Sequence, residues 1–313
     1  MGHPDHSRFL RRGIIVFLQA LILAAALGGC GSAAGENSTD WIAPEGKILS
    51  NEMAVADRIR EGLKAHAEEI IIRFKVPEDV SGILDERVGI WVEDALAETD
   101  DPAEGDYLRY QIGGYAYRST VRQADGLLHY TVTIRPDYYD WYYQAQEADA
   151  AAAELTAQFA FDPQTSEAER IESIYRWFCE NVAYDKVHRK NPYYHLKSTA
   201  YAALVQKNAA CQGFCVGLYR LLREEGISCR IVTGSAKGPE GDELHAWVIA
   251  AVDGQYYGLD PSWDAGKTEW DWFLTGSEQM KDRISEERFC TEEFLSVYPL
   301  AEHAYTASPG HGE

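Results

Sequence analysis

Residues 210–226 read ACQGFCVGLYRLLREEG, and residues 244–263 read LHAWVIAAVDGQYYGLDPSW. These two stretches decide the fold. In the first, Phe214, Leu218 and Leu221/Leu222 recur at helical spacing, and Gly226 is a natural stop just past the end. The spacing predicts a helix beginning at about Cys211. Residues 226–234 then read as a turn followed by a strand. In the second stretch, Leu244–Val252 and Gln255–Asp260 flank Asp253-Gly254, the signature of a two-residue hairpin. The expected architecture is a cysteine-bearing helix packed on an antiparallel sheet.

The same two stretches carry chemistry. A thiol at a helix N-terminus faces unpaired amides and the positive end of the helix dipole. Both favour the thiolate, which is the nucleophilic form. If residues 253 and 254 are the loop, directly opposed residues have numbers summing to 507, so His245 faces Ser262 and Asp260 faces Trp247. Asp260 is two residues from Ser262, on the sheet face of His245. Diagonal neighbours of this kind lie about 7–8 Å apart, within side-chain reach. An Asp–His hydrogen bond would fix the imidazole tautomer and leave its other nitrogen for a thiol. Trp247 is read as pointing to the opposite face, into the core. Trp263 either walls the cleft or packs at its rim.

Working outward, residues 51–66 look helical, 69–76 look like a strand, and 82–97 carry Leu84, Val88, Trp91/Val92 and Ala95 at helical spacing. An acidic loop is expected over 99–106. Two strands follow, about 107–122 and 127–135, joined by Asp125-Gly126. Residues 51–136 read as a small α+β domain with no catalytic spacing. An Ala-rich connecting helix falls within 137–164. Ser166 and Glu169 fit a capping box at the start of a helix whose apolar face is Ile171, Ile174/Tyr175 and Phe178, ending near Asn181. Cys179 beside that face reads as a small hydrophobe. The loop 185–198 is basic and aromatic and borders a cleft in this reading. The core domain is expected over 165–303, with Trp270–Leu274 as a strand or docking segment and 304–313 as a loose tail.

The N-terminus sets location. Arg8, Arg11 and Arg12 precede a run from Ile14 to Leu27 in which only Gln19 is polar. That run is short for a bilayer span and suits a signal-peptide core. It ends Leu27-Gly28-Gly29-Cys30, which resembles a bacterial lipobox. The expectation is a signal peptide over 1–29, lipidation of Cys30, a flexible tether over 30–50, and anchoring at the extracytoplasmic face of a bacterial membrane. The formal charge of −21 disfavours nucleic acid as a partner. Beyond Cys30 there are five cysteines, Cys179, Cys211, Cys215, Cys229 and Cys290, an odd number that leaves at least one thiol free.

Cys211-Gln212-Gly213-Phe214, His245-Ala246-Trp247 and Leu259-Asp260-Pro261-Ser262-Trp263 resemble, in order, the three motifs of the transglutaminase-like superfamily. Tyr201-Ala202-Ala203-Leu204 and Tyr184-Asp185 resemble its bacterial members. The resemblance covers about 165–280. It implies a papain-like α+β core with Cys211 as nucleophile, His245 as general acid and base, and Asp260 as orienting carboxylate. The Cys211 amide is the default oxyanion donor, with Gln212 or Tyr201 as candidates for a second. The implied reaction is acyl transfer on a peptide or carboxamide through a thioester, with an amine or water as acceptor. A protein or peptide is the expected substrate, a cell-wall peptide among the candidates. Three rivals stand beside this reading. One is a non-catalytic module that binds peptides or wall polymers. Another is a soft-metal site from Cys211, Cys215 and His245, which the helix start and Asp–His register disfavour. The third is thiol exchange between Cys211 and Cys215. No metal and no cofactor is implied.

Overall fold

A computed structural model describes residues 52–238 and 241–306. Residues 1–51, where a signal peptide, a lipidated Cys30 and a tether are expected, and residues 307–313 lie outside the described residues. The architecture is α+β, and the described chain divides into two compact units: residues 52–97 with 112–138, and residues 98–111 with 139–306.

The first unit contains helix α1 (Glu52–Lys64), strand β1 (Ile70–Val76), helix α2 (Leu84–Ala95), and strands β2 (Ile112–Ala124) and β3 (Leu127–Tyr138). Its antiparallel sheet runs β1-β3-β2. Asp125 and Gly126 adopt φ of 54° and 77°, which builds the hairpin turn and pairs Ala124 with Leu127. Alternate residues of β1, Ile70, Ile72, Phe74 and Val76, are buried. Helix α2 buries the five residues its periodicity singles out, Leu84, Val88, Trp91, Val92 and Ala95. Phe74 packs edge-on against Trp91 at 6.0 Å and stacks on Tyr130 at 5.1 Å.

In the second unit, α3 (Asp106–Arg109), α4 (Tyr142–Phe159) and α5 (Glu167–Asn181) precede the short strand β4 (Ala183–Tyr184). A 3₁₀ turn (His195–Ser198), α6 (Ala200–Leu204) and β5 (Asn208–Ala209) lead into α7 (Cys211–Glu224). Then come β6 (Cys229–Gly238), β7 (Gly241–Val252), β8 (Gln255–Leu259), α8 (Pro261–Asp264), β9 (Arg283–Ser285) and α9 (Glu292–Val297). The main sheet is antiparallel in the order β8-β7-β6-β9.

Residues 213–222 of helix α7 are buried on every face, so it is a core helix rather than a surface one. It packs with Ile171, Ile174 and Phe178 of α5 and with Ile231, Ala246, Val248 and Ala250 of the sheet. Burying each such large side chain contributes about 1.5–3 kcal/mol. A smaller cluster of Val232, Trp247, Ile249, Tyr256, Met280 and Phe289 covers the alternate sheet positions. The Ser166–Glu169 capping box forms: Glu169 N donates to Ser166 Oγ at 3.3 Å, and Ser166 N donates to the Glu169 carboxylate at 2.9 Å.

Two local expectations need correction. Residues 107–111 form α3 and a turn, not the start of a strand. Their segment, read as part of the first domain, packs in the second unit. There the buried Asp106 carboxylate accepts from Arg230 Nε at 2.8 Å and from the Ile231 amide at 2.8 Å. The residues after His303 are not all loose either. Tyr305 donates its amide to the Leu274 carbonyl at 3.0 Å and packs edge-on against Tyr257 at 5.5 Å. Of the two readings given for Trp270–Leu274, the docking segment holds: the Asp260 amide donates to Trp272 O at 3.1 Å.

Candidate active site

The platform for Cys211 is built by three segments that converge on the start of α7. Strands β4 and β5 pair in parallel, Tyr184 beside Ala209, and the Asp185 amide donates to Ala209 O at 2.8 Å. The 3₁₀ turn closes from the other side, with the Ala210 amide donating to Lys197 O at 2.9 Å. Gly213 is needed there. A Cβ at that position would lie 2.6 Å from Lys197 O and 3.1 Å from Thr199 O, both backbone atoms. Helix α7 begins at Cys211 with Ala210 as its N-cap, so the first amides of the helix have no acceptor within it. The Cys211 thiol is half-buried, whereas Cys215, one turn on, is fully buried. All five described cysteines are unpaired.

His245 comes from β7, and the register of β7 on β8 is the one the hairpin dictates. Val252 pairs with Gln255 and Val248 with Leu259. The ladder stops there. Pro261 has no amide to donate and instead opens the short helix α8, with Asp260 as its N-cap. Ser262 is therefore not opposite His245 on a strand. It turns back, and its hydroxyl donates to Asp260 Oδ1 at 2.6 Å. Asp260 Oδ2 lies 2.6 Å from His245 Nε2. A carboxylate only accepts, so Nε2 carries the proton of that bond. The Cys211 side chain lies near enough to the same imidazole to favour its protonated form. The ring is thus held between a carboxylate and a thiol at the start of a helix.

Burial opposes charge on the His245 ring, at 4% exposure, but Asp260 and Cys211 outweigh it. The imidazole is pushed up to about 10. For Asp260, burial favours the acid form. The His245 charge and hydrogen bond, then Arg283 and Ser262, hold it below the usual carboxylate range. The arrangement favours an imidazolium–carboxylate pair across neutral pH.

Sequence reasoning missed Arg283. Its guanidinium, 1% exposed, donates from Nη2 to Asp260 Oδ2 at 2.6 Å. It sits 4.0 Å above the ring of Trp272, 4.4 Å from that of Trp263 and 5.4 Å from that of Trp247. Arg283 lies in no motif, 23 residues after Asp260, and no local pattern announces it. Trp272 is held for this cage by Asp264, whose buried carboxylate accepts the Trp272 amide at 2.9 Å and the Tyr175 hydroxyl at 2.7 Å.

The other candidates divide. Trp263 joins the site, 4.9 Å from the His245 ring. Trp247 is buried, as a core residue should be, but it lies on the face of His245, not the opposite one. Two steps along a strand return to the same face, and the rings are 6.3 Å apart. Gln212 spends its side-chain amide on Tyr110 O at 2.6 Å. Tyr201 engages Glu147, Tyr143 and Gln144 of α4. Tyr184 feels the thiol: burial first, then the charge of Cys211, raises its phenol. The loop 185–198 is tied to β7 two residues before His245, where Arg189 Nη1 meets the Glu243 carboxylate at 3.0 Å.

Residues 154–261 match the sequence profile of the transglutaminase-like superfamily. The human kyphoscoliosis peptidase is 25% identical over 140 residues, 39% of this chain and 21% of its own length. The mouse kyphoscoliosis peptidase is 24% identical over 138 residues, again 39% and 21%. The chain thus spans about a fifth of the length of these curated relatives. Among solved structures, the crystal structure of a TGase aligns at 14% identity, over 64% of this chain and 53% of that one, with a TM-score of 0.33.

Proposed function

We propose that this chain, whose residues 154–261 belong to the transglutaminase-like superfamily, is a cysteine acyl-transfer enzyme acting on peptide or carboxamide substrates. The observation that carries the reading is His245, buried, bonded through Nε2 to Asp260 at 2.6 Å and held protonated by Asp260 together with the side chain of Cys211 at a helix start.

In this mechanism the Cys211 thiolate attacks the carbonyl carbon, forming the C–S bond and an oxyanion. The unpaired Cys211 amide donates to that oxyanion. The imidazolium of His245 gives its Nδ1 proton to the nitrogen as the C–N bond breaks, and amine or ammonia leaves. Neutral His245 then takes a proton from an amine or water that attacks the thioester. Collapse returns the thiolate and the imidazolium. Asp260 stays ionised throughout and holds the ring in one orientation. An amine acceptor gives transamidation; water gives proteolysis or deamidation. The relatives' name, peptidase, supports the water branch. The same reading takes the protein as exported and anchored through diacylated Cys30, which mass spectrometry of the membrane-extracted N-terminal peptide tests.

The test of the catalytic reading needs no substrate. Alkylation of Cys211 is followed against pH by peptide mass mapping, beside His245→Ala. Fast labelling of Cys211 well below the ordinary thiol range of about 8.5, with Cys215 unlabelled and the effect lost in His245→Ala, supports the enzyme. Ordinary or absent reactivity would favour a non-catalytic peptide- or polymer-binding module. With the site supported, products from a peptide library supplied with and without a primary amine separate the two branches.

A further inference from the structure

We infer that Arg283 is a positioning residue for this site, sharing the Asp260 carboxylate with His245 and setting the charge balance in which the Cys211 thiolate forms. The inference rests on the catalytic reading above.

The geometry is unusual for a structural arginine. A guanidinium has five N–H donors, and a buried one normally satisfies them with several acceptors. Among the described residues Arg283 satisfies only the bond to Asp260: its Nε and Nη1 are buried with no hydrogen-bond partner there. The rings of Trp272, Trp263 and Trp247 surround it instead. The cation is thus held by ring faces and aimed at one oxygen. That oxygen, Oδ2, is the one His245 Nε2 also uses, each at 2.6 Å. The two donors compete for the same lone-pair density, while Ser262 takes Oδ1. Arg283 reaches the site from β9, whose three residues pair with β6 at Gly234, Ser235 and Ala236, in the rows of His245 and its neighbours.

The charges then sum simply. Thiolate, imidazolium, carboxylate and guanidinium cancel. Without the guanidinium the array carries one net negative charge. Forming the thiolate then takes the array from neutral to negative rather than from positive to neutral, so it forms at higher pH. Nearby groups do not replace the missing cation. Burial raises the Cys215 thiol and the Tyr175 phenol far above neutrality, and Cys179 is pushed up to about 12. The Tyr184 phenol is likewise raised, by burial and then by Cys211. Glu243, on the strand of His245, is paired with Arg189 at 3.0 Å, and Asp264 with Lys267 at 3.3 Å.

The experiment compares the full chain with Arg283→Gln, Arg283→Met and Arg283→Lys. Met fills the tryptophan cage with an apolar chain. Lys keeps the charge on a shorter reach. The readout is the pH at which iodoacetamide labelling of Cys211 reaches half its plateau, with the thermal midpoint measured alongside. The half-plateau pH is expected to move upward by several tenths of a unit or more in the Gln and Met variants, and less in the Lys variant. A purely structural arginine would lower the thermal midpoint and leave the half-plateau pH in place. An unmoved half-plateau pH in every variant that folds, Lys included, overturns the inference. Wild-type Cys211 with no reactivity below the ordinary thiol range is a different failure, that of the catalytic reading itself.

Discussion

The His245–Asp260 pair makes stability itself depend on pH, and His245→Gln exposes the effect. A free histidine titrates near 6.5, and His245 is pushed up to about 10 by Asp260 and Cys211 against its own burial. A raised folded value means the folded state holds the proton more tightly than the unfolded chain does. The stabilisation is therefore fully present below about pH 6.5 and lost as pH rises through about 10. At about 1.4 kcal/mol per unit, the span of about 3.5 units sets a ceiling near 5 kcal/mol. Integrated over the accessible range, roughly 2–3 kcal/mol is lost between about pH 7 and about pH 9. Both partners are about 2% exposed at the side chain, so solvent screening takes little from this figure. Urea denaturation of wild type and His245→Gln at half-unit steps of pH reads the difference. Groups common to both proteins cancel, so the difference curve is expected to fall with pH across that window. A difference curve flat between about pH 7 and about pH 9 would refute the linkage and, with it, a protonated His245 in the folded state.

Asp260→Asn keeps the shape of the orienting group but removes the charge that holds the imidazolium. Turnover of any amide substrate is expected to fall about 10²- to 10⁴-fold, measured by release of amine or ammonia. Gly213→Ala gains about 1 kcal/mol of helix propensity but drives a Cβ to 2.6 Å from Lys197 O. Overpacking of this kind costs about 1–3 kcal/mol, and a backbone carbonyl yields little, so net destabilisation with slower Cys211 alkylation is expected. Gly217→Ala is the comparison: its Cβ meets the Phe178 ring at 3.1 Å and Ala203 Cβ at 3.2 Å. Side chains can give by that much, so its denaturation midpoint is expected to lie nearer wild type. Ser166→Ala removes the N-cap of α5 and is expected to cost about 1 kcal/mol in urea denaturation while leaving Cys211 labelling unchanged.

What was legible in the sequence follows from the range of the forces involved. The Asp253-Gly254 turn fixes a register by local backbone geometry, and that register reaches from Val252–Gln255 to Val248–Leu259. It brings His245 to Asp260 without any knowledge of the rest of the fold. The helix from Cys211 and the Ser166–Glu169 box are equally local. The hairpin register ends where Pro261 stops the ladder, and there Ser262 is a donor to the carboxylate instead of a cross-strand neighbour. Trp247 shares the face of His245 because strand positions two apart always do, a rule that is fully local. Arg283 and Asp106 are different in kind. An acidic stretch over 99–106 looks solvated unless one knows that Arg230, 124 residues away, meets Asp106. Likewise nothing near Arg283 signals that three tryptophans will enclose it against Asp260. A buried cation is tolerated only when the complete fold supplies its partners, so its role becomes visible only after the chain has closed around it. The motif residues name the reacting atoms, but the charge balance at Asp260 is set by a residue outside every motif. A substitution at Arg283 therefore tests the site by a route that motif comparison alone would not suggest.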